Sequence, residues 1–92
     1  MNILHLTLKK KWFDMIAEGT KFEEYREIKP YWDKRLKIGY HTDAVCFRNG
    51  YNKNSPTITV KCEGIFKGYG VLEWGAPKEQ CFIIKLGDEI CD

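Results

Sequence analysis

Apolar and polar residues alternate from Ile3 to Leu8, with Leu4, Leu6 and Leu8 on one side and Ile3, His5 and Thr7 on the other. A period of two describes a strand with one face on a core. The period then changes. Leu8, Trp12, Met15 and Ile16 recur at helical spacing, which predicts a short helix over Lys9–Glu18. Gly19 ends it, because glycine enters the left-handed region without a Cβ penalty. Thr20–Ile28 reads as extended and partly alternating, and Pro30 disfavours helix at Lys29. One helical turn is predicted over Tyr31–Leu36, before Gly39.

Ala44–Arg48 is a short strand that runs into Asn49-Gly50, a strong turn signal, and Asn52–Pro56 lengthens the loop. Thr57–Phe66 is the longest strand candidate, with Ile58, Val60 and Cys62 set against Thr57, Thr59 and Lys61. Gly64 marks a bulge or bend within it. Gly68, Gly70 and Gly75 frame a loop around Val71, Leu72 and Trp74. Cys81–Leu86 is the last strand, and Gly87–Asp92 reads as a frayed tail. About five short strands with one main helix and glycine bends predict an α+β fold, a small, partly closed β-barrel forming a single domain over residues 1–92.

Composition narrows the function classes. No apolar run approaches the ~20 residues that cross a bilayer, and Met1–His5 lacks the basic-then-apolar order of a signal peptide. No membrane association is expected. The cysteines at 46, 62, 81 and 91 contain no close pair, so a structural zinc site is not expected, nor is any other metal or cofactor. They read as reduced, small hydrophobes of a cytoplasmic protein. The net charge of +2 is unevenly placed, with eleven Lys/Arg against seven Asp/Glu in residues 1–55 and four against six in residues 56–92. A basic face for an anionic partner fits this asymmetry, although a non-specific nucleic-acid coat protein is more basic. Thirteen aromatic residues exceed what one small core consumes, so some are expected at a surface or cleft.

The segment Gly19-Thr20-Lys21-Phe22-Glu23-Glu24-Tyr25-Arg26 carries most information. Alternation puts Phe22, Glu24, Arg26 and Ile28 on one face and Lys21, Glu23, Tyr25 and Glu27 on the other, so both faces hold charge. Such a strand lies at an edge or lines a polar cleft, because an isolated buried charge costs several kcal/mol. Glu24 and Arg26 sit two residues apart and can meet side by side, with Lys21 at the mouth of the same site. Arg26 has the planar fork that grips a phosphate or base edge, Glu24 can orient it, and Lys21 can hold phosphate or, if desolvated, act as a base.

Gly19-x-Lys21-x-x-Glu24-x-Arg26 resembles the G-x-K-x-x-E-x-R signature of ASCH domains, and the surrounding strand–helix–strand order is similar. The resemblance implies a PUA-like barrel and a cleft in which Lys21, Glu24 and Arg26 face RNA, a nucleotide or a modified nucleoside. Some relatives hydrolyse an acyl group from a modified cytidine. They use a lysine at the position of Lys21, a threonine where this chain has Glu24, and an acid from a longer insertion after the fourth strand. Here that insertion is reduced to the loop Gly68–Gly75, whose one acid is Glu73.

Three functions follow as expectations: an RNA- or nucleotide-binding domain, a small hydrolase of RNA or a modified nucleoside with Lys21 and Glu24 as its catalytic pair, or an interaction domain whose ion pairs are purely structural. Further candidate ligand contacts are Lys9 and Lys10 in a basic helix start, Tyr31 and Trp32 beside Lys34, Arg35 and Lys37, and His5. Tyr31 and Trp32 either stack unpaired bases or plug an open barrel end. His5 reaches the motif strand only if the two strands pair.

Overall fold

The alternating segment at the start of the chain builds the first strand, β1 (Ile3–Leu8), with Leu6 and Leu8 buried. A computed structural model describes residues 1–36 and 41–90. The remaining elements are α1 (Lys10–Ala17), β2 (Glu23–Arg26), α2 (Pro30–Arg35), β3 (Ala44–Asn49), β4 (Thr57–Gly68), a 3₁₀ turn at Leu72–Trp74 and β5 (Cys81–Glu89). The expectations placed on Lys37, Gly39, Tyr40, Cys91 and Asp92 lie outside the described residues.

The five strands form one mixed sheet in the order β1-β3-β4-β5-β2. β1 and β3 run parallel, and the other neighbours are antiparallel. The sheet curls into a half-barrel with α1 as the main helix, which is the α+β, partly closed barrel that the pattern of strands and glycines implies. Its curl originates in β4. The register with β5 shifts on both sides of Cys62, and Gly64 has φ 137°. Bulges of this kind bend a strand and raise its twist.

The core lies inside the curl. Leu6, Leu8, Val45, Phe47, Ile58, Val60, Phe82, Ile84 and Leu86 meet Phe13 and Ile16 of α1 and Leu36 after α2. α1 ends as expected. Gly19 has φ 78°, its N–H donates to the Ile16 carbonyl at 3.1 Å, and the Thr20 N–H donates to Met15 at 2.9 Å. A second, smaller cluster forms on the outside of the sheet. Tyr25, Cys81 and Ile83 are covered there by Trp74 and Ala76, so β5 is buried on both faces. That explains the unbroken apolar run Cys81–Ile84.

Several boundaries differ from the sequence reading, among them the ends of the two longest strands. β4 continues to Gly68, and β5 runs to Glu89 instead of fraying after Leu86. The long β4 supplies the partner: Val60 pairs with Glu89, and the Ile90 N–H donates to the Thr59 carbonyl at 2.8 Å. Cys46, Cys62 and Cys81 are free thiols. Among the described residues no helix is long and apolar enough to cross a membrane, and no three His, Cys, Asp or Glu side chains gather as a metal site.

Candidate functional site

β2 is short because its surroundings change at each residue. Glu24 and Arg26 pair with Ile84 and Phe82 and share their inward face. Tyr25 pairs with Ile83 and shares the outer face that Trp74 covers. The strand begins only at Glu23, so Phe22 does not join Glu24 as alternation suggests. Its exposed ring instead meets Trp74 edge-on, with centroids 5.7 Å apart.

Lys21, Glu24 and Arg26 form one connected cluster. The Lys21 ammonium lies 3.1 Å from Glu24 Oε1, and Arg26 Nη1 donates to Glu24 Oε2. Lys21 is 1% exposed and Glu24 5%. The expectation that Lys21 stands at the mouth of a cleft is therefore corrected. Its three N–H donors meet the carbonyls of Glu23 and Trp74 and the Glu24 carboxylate, and the Trp12 and Tyr25 rings lie 5.4 and 4.8 Å away. An ammonium has only three donors, so Lys21 has none left for a ligand. Burial pushes its pKa below the ordinary lysine value, and the Glu24 carboxylate opposes that push. The Lys21–Glu24 pair is buried, and a buried pair that loses one partner is strongly destabilised.

Arg26 is the group that reaches the open side. Nη1 also donates to the Tyr25 carbonyl at 2.8 Å, and Nη2 donates to the Thr7 carbonyl at 3.2 Å. A guanidinium has five N–H donors. Among the described residues, Nε–H and one N–H of Nη2 have no protein acceptor. Its Cζ lies 5.2 Å from the Trp32 ring centroid.

Two cavities meet at Arg26. The larger, about 470 Å³, lies between β1 and β2 and is lined by Thr7, Lys9, Lys10, Trp12, Glu24, Tyr25, Arg26, Tyr51, Trp74 and neighbouring backbone. The smaller, about 310 Å³, shares Tyr25, Arg26 and Gly75 and adds Glu27, Lys29, Trp32 and Pro77. Both volumes suit small ligands or parts of them.

The loop after β4 builds one wall. The Tyr25 hydroxyl donates to Glu23 Oε1 at 2.7 Å and accepts the Val71 N–H at 3.0 Å. Burial pushes the phenol well above its ordinary range, the Val71 N–H works against this, and Glu23 adds to it. Glycine is needed twice in this loop. A Cβ on Gly70 would stand 2.3 Å from the Tyr25 ring, and one on Gly75, where φ is 93°, would stand 2.7 Å from the Trp12 ring. The opposite wall is fixed by the Asn49-Gly50 turn. The Gly50 N–H donates to the Leu8 carbonyl at 3.0 Å and brings Tyr51, 92% exposed, to the rim beside Lys9.

The other sequence candidates separate. Lys9 and Lys10 line the larger cavity, and Lys10 also pairs with Asp14 at 2.5 Å. Trp32 packs against the core and walls the smaller cavity, so plug and cleft wall are one residue. Tyr31 is 55% exposed, meets Trp32 edge-on and lies under Arg35, outside both cavities. His5 is exposed and in register with Cys46 of β3. β1 pairs with β3 and not with β2, so His5 does not join the site. Trp12, Tyr25 and Tyr51, which line the larger cavity, were not singled out as site residues by the sequence. The aromatic excess and the glycines at 70 and 75 were the signals available. No family model and no curated protein matches the chain.

Proposed function

We propose that the chain is an RNA-binding domain of the ASCH type, PUA-like in fold, which takes a nucleotide in the cleft beside Arg26. The observation that carries this reading is the Arg26 guanidinium. It is clamped by Glu24, Tyr25 and Thr7, yet keeps Nε–H and one Nη2 N–H for an acceptor at a cavity with aromatic walls and a lysine rim. Planar, charge-assisted donors suit phosphate and base edges, and adjoining aromatics suit unpaired bases.

Hydrolysis fits less well. A lowered lysine pKa is what a base needs, but an acid or base must come within hydrogen-bond reach of its substrate. Lys21 is sealed beneath the cavity and Glu24 is held between two cations. Binding without chemistry is the better account. The free thiols at 46, 62 and 81 support a reducing, cytoplasmic setting.

The test is a tryptophan-fluorescence titration with short single-stranded RNA at two ionic strengths. Binding that weakens steeply with salt supports contact with phosphates. Salt-insensitive binding would point to an uncharged nucleoside, and no binding would end the reading.

A further inference from the structure

Two cavities that share one guanidinium suggest a ligand with two units joined by an anion. The larger cavity is lined by Trp74, the exposed Tyr51, Lys9 and Lys10. The smaller is lined by Trp32, Pro77, Glu27 and Lys29. Arg26 belongs to both, and two of its N–H groups have no acceptor among the described residues. Each space, at about 470 and 310 Å³, is within the ~300–1,000 Å³ range of small-ligand pockets. Neither is one enclosed chamber for a single nucleoside.

We infer that the site binds a dinucleotide step of single-stranded RNA, with one nucleoside in the Tyr51–Trp74 cavity, the next against Trp32, and the phosphate between them on Arg26. This rests on the RNA-binding reading and deepens it. Cations line both cavities: Lys9 and Lys10 the larger, where Lys10 also pairs with Asp14, Lys29 the smaller, where it pairs with Glu27, and Arg26 both. Arg26 is held from three sides, so it meets the linking phosphate without first losing rotamer freedom.

The experiment compares uridine 3′-monophosphate, the dinucleotide uridylyl-uridine, and the same dinucleotide with a neutral methylphosphonate link, each by calorimetric titration. The dinucleotide should bind at least about tenfold tighter than the monophosphate, and the neutral link should lose that gain. Trp32→Leu should lower dinucleotide affinity by a larger factor than monophosphate affinity, closing most of the gap between them. Because Trp32 touches the core, Lys29→Glu serves as a surface variant and should also lower the dinucleotide more than the monophosphate. Equal affinities for monophosphate and dinucleotide, unaffected by either variant, would overturn the two-nucleotide site and leave a one-nucleotide cleft. Failure of all three compounds and of longer RNA to bind would remove the RNA-binding reading itself.

Discussion

The Arg26 guanidinium donates to the Thr7 carbonyl at 3.2 Å and so joins β2 to β1, the two ends of the sheet order. Among the described residues no strand ladder connects these edges; a side chain does. The residue proposed to hold the ligand thus also ties the open side of the half-barrel, and the larger cavity occupies that seam.

Arg26→Ala should therefore lose affinity and stability together. The two charged hydrogen bonds to backbone carbonyls and the one to Glu24 are removed, which costs about 2–3 kcal/mol after Glu24 falls back on Lys21. Arg26→Lys keeps the charge but not the fork. It should regain part of the stability and little of the RNA affinity, read by urea unfolding and RNA titration side by side. Full recovery of affinity by lysine would mean that the site uses charge alone.

Glu24 separates the buried Lys21 from the half-buried Arg26, so its loss should be costly. Glu24→Gln is expected to remove about 3–5 kcal/mol, a large share of the ~5–15 kcal/mol typical of a small domain. Lys21→Met, close in length and uncharged, should relieve part of this in the double variant. The double loss should fall short of the summed single losses by about 1 kcal/mol or more. Additive losses in urea unfolding would show that the cluster does not act as one unit.

Much of this architecture was legible in the chain. Leu4, Leu6 and Leu8 alternate because one face of β1 meets the core, and Gly19 and Gly64 stand where left-handed or bulged backbone needs them. Glu24 and Arg26 meet because strand geometry sets residues two apart on one face. Lys21 was misplaced for a physical reason. A lysine near a turn reads as solvated, and only the fold brings the Trp74 carbonyl, 53 positions away, to seal it. Tyr25 lies on the face opposite Glu24 and Arg26 as alternation predicts, but only the fold brings the loop beyond β4 back to cover it.

The Tyr25 phenol should stay protonated well into alkali. Its folded pKa is raised above the unfolded value near ~10, so its contribution is fully present below that pH and is lost as pH rises through the folded pKa. Lys21 acts with the opposite sign. Its lowered pKa costs stability while the ammonium is charged, and this cost fades as pH rises toward ~10.4. Subtracting the Tyr25→Phe variant isolates the phenol. Among the five tyrosines, a late phenolate absorbance step should accompany unfolding and vanish in that variant. Its persistence would assign the late proton elsewhere.

Acylcytidine hydrolysis is expected to be absent. The cleft offers no hydroxyl at position 24, and Lys21 cannot reach a substrate from beneath Trp12 and Trp74. Incubation with N4-acetylcytidine should release no acetate above the uncatalysed rate. Turnover near ordinary enzyme rates, ~1–10³ per second, would require the site to open.

The central claim is that RNA enters the seam at Arg26, and an isotope-edited NMR titration with a short single-stranded RNA tests it most directly. The Arg26 Nε–H signal should shift first and furthest, joined by the indole N–H signals of Trp74 and Trp32 and the backbone of Lys9 and Tyr51. Shifts confined to the outer face of β3 and β4, with the Arg26 Nε–H unmoved at saturation, would contradict it.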